Sequence, residues 1–195
     1  MLTTAILLAL LLVASLTDWR FRLVYNWTTY PGALFALAAN LAGSFAGVDR
    51  PAAGAEQWSL WGLVGIRDSL LGLLACGGVM LVCYVLFAGE VGGGDLKLIA
   101  MAGAFLGVED GLEVLLWTFV LGGCTGLVIL VWRIGAVNLA AGFARYLLSV
   151  LRTGRLMAPD REFNRTLRSR LFLAPSALGA VLFVRFHLAD WLLAM

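Results

Sequence analysis

The stretch Ser69-Leu70-Leu71-Gly72-Leu73-Leu74-Ala75-Cys76-Gly77-Gly78-Val79-Met80-Leu81-Val82-Cys83-Tyr84-Val85-Leu86-Phe87-Ala88 contains no charged residue. A membrane-spanning helix needs roughly 20 such residues, so this run reads as a span. The same criterion gives five further candidates, at about 2–17, 28–46, 95–108, 112–132 and 171–193. The 95–108 run is short, and the last carries Arg185, His187 and Asp190 near its end. Bulk composition agrees. Of 195 residues, 62% are hydrophobic and 13% charged, with a mean hydropathy of +0.93. Soluble domains sit near half apolar and a quarter charged, so lipid is the solvent for most of this surface. The expected fold is all-α: a polytopic transmembrane bundle of about six spans. Residues 1–195 are expected to form one integral membrane domain, with no room for a large soluble module.

Charge placement orients the stack. No Lys or Arg precedes the first apolar run, whereas Arg20 and Arg22 follow it. A cleaved signal peptide has the opposite polarity, so the run reads as an uncleaved first span with its N-terminus outside. The segment 133–170 carries Arg133, Arg145, Arg152, Arg155, Arg161, Arg165, Arg168 and Arg170. Positive loops stay cytoplasmic. That puts this loop and the loops 18–27 and 89–95 inside, and both termini outside. Within the long loop, Leu139, Phe143, Leu147, Val150 and Leu151 recur at helical spacing opposite Asn138, Arg145, Ser149 and Arg152. This predicts an amphipathic helix lying in the interface, its arginines near anionic lipid. Topology explains these arginines without any nucleic-acid partner. Cys76, Cys83 and Cys124 all fall in apolar runs and read as small packing residues. Neither a disulfide framework nor a metal site is expected. Gly103 with Gly107, and Gly122 with Gly126, have the spacing that lets helix backbones approach closely.

Ionisable residues at membrane depth are functional candidates by default. Asp18 ends the first run, in Asp18-Trp19-Arg20-Phe21-Arg22-Leu23-Val24-Tyr25-Asn26. Asp95 begins the fourth, in Glu90-Val91-Gly92-Gly93-Gly94-Asp95-Leu96-Lys97-Leu98. Two spans separate them, so they lie on the same membrane side in either orientation. Paired carboxylates suit aspartyl peptidase chemistry: one, ionised, draws a proton from water while the other, protonated, polarises the scissile carbonyl. The three glycines predict an extended backbone that a substrate strand can approach. The fourth run spans only about 21 Å at 1.5 Å per residue, which places Asp95 slightly below the interface in a wet cavity. Each acid also has a plainer reading. Asp95 after a glycine run is a good N-cap, and Asp18 beside Arg20 and Arg22 is an ordinary juxtamembrane charge. Lys97 is expected to snorkel to the inner surface, and Glu90 reads as a loop acid.

Taken together, these segments resemble the prepilin peptidase (type IV leader peptidase) family. Its hallmark is a membrane GxGD motif followed by Lys-Leu, matched by Gly92-Gly93-Gly94-Asp95 and Lys97-Leu98. Its other aspartate ends a span, in a pattern of Asp, basic residues, Ile-Pro and Asn. Asp18, Arg20, Arg22 and Asn26 fit this pattern, and Val24-Tyr25 replaces Ile-Pro. Pro175 and Gly179 resemble the family's closing helix, so the likeness runs from about 5 to 183. It implies a GxGD-type aspartyl endopeptidase with catalytic Asp18 and Asp95. Gly92, Gly93, Gly94, Lys97 and Asn26 would bind substrate or support the site. The implied partner is a type IV pilin-like precursor whose leader is cut at the cytoplasmic face of the bacterial inner membrane. No cofactor is implied, and the oligomeric state is left open. Larger members carry paired cysteines associated with N-methylation. Here Asp18 closely follows Met1 and no Cys-x-x-Cys pair occurs, so methylation is not expected. The short form looks most like the peptidase of tight-adherence (Flp-type) pilus systems.

Two other classes compete. A serine peptidase using Ser176, His187 and Asp190 fails on geometry, since Ser176 and His187 lie roughly 16 Å apart along one predicted helix. A non-enzymatic assembly or proton-coupled transport protein could use the same two aspartates.

Overall fold

The computed structural model describes residues 2–21, 25–47, 61–86, 92–135 and 173–186. Secondary structure among them is entirely helical: α1 (Leu2–Phe21), α2 (Asn26–Phe45), α3 (Ile66–Leu86), α4 (Gly93–Leu106), α5 (Val108–Ile134) and α6 (Leu173–Arg185). The helix expected over 138–152 lies outside the described residues, as do Arg22, Val24, the charges of 48–60, Glu90, His187 and Asp190. The chain forms two compact units, one of residues 1–121 with 172–195 and one of residues 122–171. In the second, the described residues are the helical stretch to Ile134 and Gly135, whose φ of +82° ends it. Leu127, Val128 and Trp132 on this stretch are exposed.

The first unit is packed inside out relative to a water-soluble bundle. On α3 the buried stripe is Ser69, Gly72, Cys76 and Met80, while Leu70, Leu71, Leu74, Val82, Val85 and Leu86 face outward. Lipid tails are as apolar as leucine, so membrane helices gain by packing small surfaces against one another and leaving the large aliphatic ones to lipid. Three helical stretches are long and apolar enough to cross a membrane: Leu2–Phe21, Ile66–Leu86 and Val108–Trp132. Length and composition thus meet the six-span expectation in three cases. The 20-residue α2 is long enough but is diluted by Thr28, Thr29 and Asn40, while α4 and α6 have only 14 and 13 residues.

Close backbone approach joins α3 to α4. A Cβ on Gly72 would strike the Gly103 carbonyl and come within 2.6 Å of the Gly107 carbonyl. One built on Gly103 would meet the Gly72 carbonyl and Cys76 Cβ, the latter at 2.9 Å. The expected Gly103/Gly107 face is therefore a contact surface, and its partner is Gly72. Cys76 is fully buried against it, as a packing residue should be, whereas Cys124 is exposed. Gly107, at φ +83°, then breaks the chain between α4 and α5. Glu109 and Asp110 stand in the first turn of α5, where they complement the positive end of the helix dipole.

Polar side chains fasten the end of the unit where α4 stops. Asn40 is buried on α2, and its Oδ1 accepts from the N–H of Val64 (2.9 Å) and of Gly65 (3.2 Å). Its Nδ2 donates to the Ala36 carbonyl at 2.9 Å. Ser44 Oγ accepts from the N–H of Ile66 at 2.8 Å, and Ser69 Oγ donates to the Ala104 carbonyl at 2.6 Å. The free N–H groups at the start of α3 are thus met by α2 side chains, which matters where no water reaches them. A cavity of about 210 Å³ opens nearby, lined by residues including Thr4, Val64, Asp110 and Arg185. Arg185 pairs with Asp110 at 3.5 Å.

Candidate active site

Gly32 fixes the positions of the two acids along their helices. A Cβ there would collide with Met101 Sδ of α4 and lie 2.9 Å from Leu10 Cδ1 of α1. Glycine is what lets α1, α2 and α4 meet at this level. From that junction Asp18 lies about 12 Å along α1 and Asp95 about 9 Å back along α4, at 1.5 Å per residue. The two helices run in opposite directions here, so both acids come to the same end. This is the end opposite the cavity and the Asp110–Arg185 pair, so that cavity is not the site of these carboxylates.

The helix α1 runs on to Phe21, which puts Asp18 inside its last turn rather than in the loop expected over 18–27. Charge at Asp18 and Arg20 ends the hydropathy signal but not the backbone hydrogen bonding. Both aspartates are part-exposed. The backbone of Ala174 lies near the Asp18 carboxyl, and that of Gly92 near the Asp95 carboxyl. The two carboxyl groups are close enough to act on each other electrostatically.

The glycine run is not the extended segment its composition predicts. Only Gly92 is extended, at φ −71° and ψ 136°, and helix begins at Gly93. The backbone N–H groups of Asp95 (3.1 Å) and Leu96 (3.4 Å) close onto the Gly92 carbonyl. Gly92, not Asp95, is the N-cap, and Asp95 is the third helical residue. A Cβ on Gly92 would sit 2.9 Å from Asp95 Oδ2, whereas one on Gly93 would meet nothing.

Lys97 and Asn26 come together. Lys97 Nζ donates to Asn26 Oδ1 at 2.9 Å and lies 4.9 Å from the centre of the Tyr30 ring. The lysine expected to snorkel instead bridges α4 to the first turn of α2. Around this end Trp19, Phe21, Tyr25, Trp27 and Tyr30 are exposed, the amphipathic aromatic collar found at membrane–water interfaces. Sequence reading missed Tyr30 and Thr29, the latter a buried hydroxyl with no hydrogen-bond partner among the described residues. No group of three or more His, Cys, Asp or Glu that could hold a metal occurs among the described residues.

The model of the type IV leader peptidase family matches residues 5–127, a segment that holds both aspartates and the glycine run. Pro175, Gly179 and the rest of α6 lie beyond it. No curated protein and no solved structure matches the chain. Well over half of the sequence fits the family model, and the chain belongs to the type IV leader peptidase family.

Proposed function

We propose that this chain is a membrane aspartyl endopeptidase that removes the leader from type IV pilin-like precursors, with Asp18 and Asp95 as its catalytic pair. The observation that carries the reading is the meeting of two part-exposed carboxyls, from helices distant in sequence, at one end of the first unit. Two carboxyl groups held close share a proton readily, because like charges resist ionising together. The ionised member takes a proton from water as that water attacks the scissile carbonyl. The protonated member donates to the carbonyl oxygen, then supports collapse to the new carboxyl and amine. Gly92 leaves room for the Asp95 carboxyl, while Lys97 and Asn26 support the site by tying α4 to α2. Gly93 and Gly94 present backbone to the substrate from the first turn of α4.

The membrane setting follows from the same features. The chain is a multi-pass protein of the bacterial inner membrane, and its acids face the cytoplasm with the arginine-rich loop. Both termini lie outside, and the loop 133–170 rests on anionic lipid within a single peptidase domain.

The test is co-expression of a pilin precursor with Asp18→Asn or Asp95→Asn. Each variant is expected to insert normally and to leave the leader in place. Normal processing by both would sink the peptidase reading. Loss of proton flux in liposomes with intact processing would move the same acids to transport.

A further inference from the structure

We propose that the cavity beside Arg185 and Asp110 is a lipid-headgroup site, and that it takes a zwitterionic headgroup carrying a phosphate and a primary ammonium. The inference does not depend on the peptidase reading, because the cavity lies at the end of the unit opposite Asp18 and Asp95.

That end stands where headgroups do. All three helices long and apolar enough to cross a membrane begin there. Exposed Arg67, Asp68 and Glu109 mark the starts of α3 and α5, and Trp61 is exposed, as interfacial tryptophans are. The cavity, of about 210 Å³, holds several times the share of one liquid water, about 30 Å³. Its walls are of two kinds. Leu63, Phe105 and Leu106 are apolar, and Thr4, Asp110 and Arg185 are polar. The apolar wall suits the carbons that join a headgroup to its acyl chains, and the polar wall suits the headgroup itself.

The polar wall holds one cation and one anion. Arg185 Nη1 stands 3.5 Å from Asp110 Oδ2, farther than the roughly 2.7–2.9 Å of a charge-assisted hydrogen bond. The Nε of Arg185 is buried and has no hydrogen-bond partner among the described residues. A buried donor left unmet carries its desolvation cost uncompensated, so the guanidinium has capacity that Asp110 does not use. A phosphate held side-on, by Nε and a terminal N–H together, would use it.

Asp110 selects the rest of the ligand. A simple anion on Arg185 would also face the Asp110 carboxylate and be repelled by it. A ligand that brings its own ammonium turns that repulsion into a second ion pair. A primary ammonium also donates N–H to the carboxylate, which a trimethylammonium cannot do. The two protein charges therefore read the two charges of one headgroup.

The test titrates the full-length protein in detergent with short-chain phosphatidylethanolamine, phosphatidylcholine or phosphatidylglycerol, and with soluble phosphoethanolamine. Binding is read by native mass spectrometry and by the rise in melting temperature. Phosphatidylethanolamine is expected to bind saturably, about tenfold or more tighter than the other two lipids. Arg185→Gln should weaken it about 10- to 100-fold, the scale of hydrogen bonds to a charged group. Asp110→Asn should keep the phosphate contact and lose the choice, so that the three lipids bind within about threefold of one another. That readout is a ratio of affinities within one variant, so a change in its stability does not blur it. Equal affinities in the wild type overturn the proposal, as does a preference for phosphatidylglycerol or an unchanged preference in Asp110→Asn. Soluble phosphoethanolamine binding as tightly as the lipid would overturn the lipid assignment and leave a site for a free phosphate zwitterion.

Discussion

Gly72 and Gly103 meet backbone to backbone, and a Cβ on either would collide with the carbonyl oxygen of the other. The contact lies between α3 and α4, the helix that carries Asp95 in its first turn, so it sets where α4 stands. Backbone cannot yield as a flexible side chain would. Overpacking of this kind costs about 1–3 kcal/mol. Gly103→Ala is therefore expected to lower thermal stability in detergent by that amount. Gly78→Ala, on the same α3 but with open space around its Cβ position, should be neutral or stabilise by about 0.5–1 kcal/mol through helix propensity. Equal melting temperatures for the two variants would contradict the packing assigned here.

Asn40 fastens the same end of this helix pair, where α3 starts and α4 stops. Replacing it with leucine keeps the size and removes the acceptor for the Val64 and Gly65 N–H groups. Leaving buried donors unmet costs about 1–3 kcal/mol. Asn40→Leu should therefore melt earlier by that margin and expose the 64–66 amides to faster hydrogen exchange. Asn40→Asp, which keeps an acceptor, should restore the amide protection in part.

The sequence made the helices legible because lipid imposes a blunt requirement: about 20 apolar residues per span, whatever they touch. Six apolar runs became six helices among the described residues, and both aspartates were visible as charges out of place. Their surroundings were less visible. The glycine run before Asp95 reads as extended from composition, yet Gly93 and Gly94 are helical, with the Gly92 carbonyl accepting from the Asp95 and Leu96 N–H groups. Hydropathy marked the first span as over by Asp18, although the hydrogen-bond ladder continues to Phe21. Gly72 as partner of Gly103 depends on which helices touch.

Lys97 is the next test. Its ammonium joins Asn26 Oδ1 and the Tyr30 ring, both on α2, at a part-exposed position where such a contact is worth about 1 kcal/mol or less. Lys97→Met keeps the aliphatic stem and drops the charge. Melting temperature should barely move, while leader cleavage falls about three- to tenfold if the bridge holds α4 in register with α2. Asn26→Ala should give a similar fall, and the double variant should add little to either single change, since both break one contact. Full additivity would mean that the two residues act separately.

Within the glycine run, the structure separates positions that the motif groups together. A Cβ at Gly92 would stand 2.9 Å from Asp95 Oδ2, closer than side-chain atoms sit, so the carboxylate must rotate away. At Gly93 the same Cβ enters open space, and the residue already has helical backbone that alanine prefers. Gly92→Ala is thus expected to cut kcat for leader cleavage about 10- to 100-fold, because misplacing a catalytic group by about 1 Å can cost that much. Gly93→Ala should leave kcat within about twofold and raise stability slightly. If substrate instead lay along an extended glycine backbone, both variants would lose activity together, chiefly through KM. A paired measurement of kcat and KM on the two alanines therefore decides whether the first glycine serves the aspartate or the substrate.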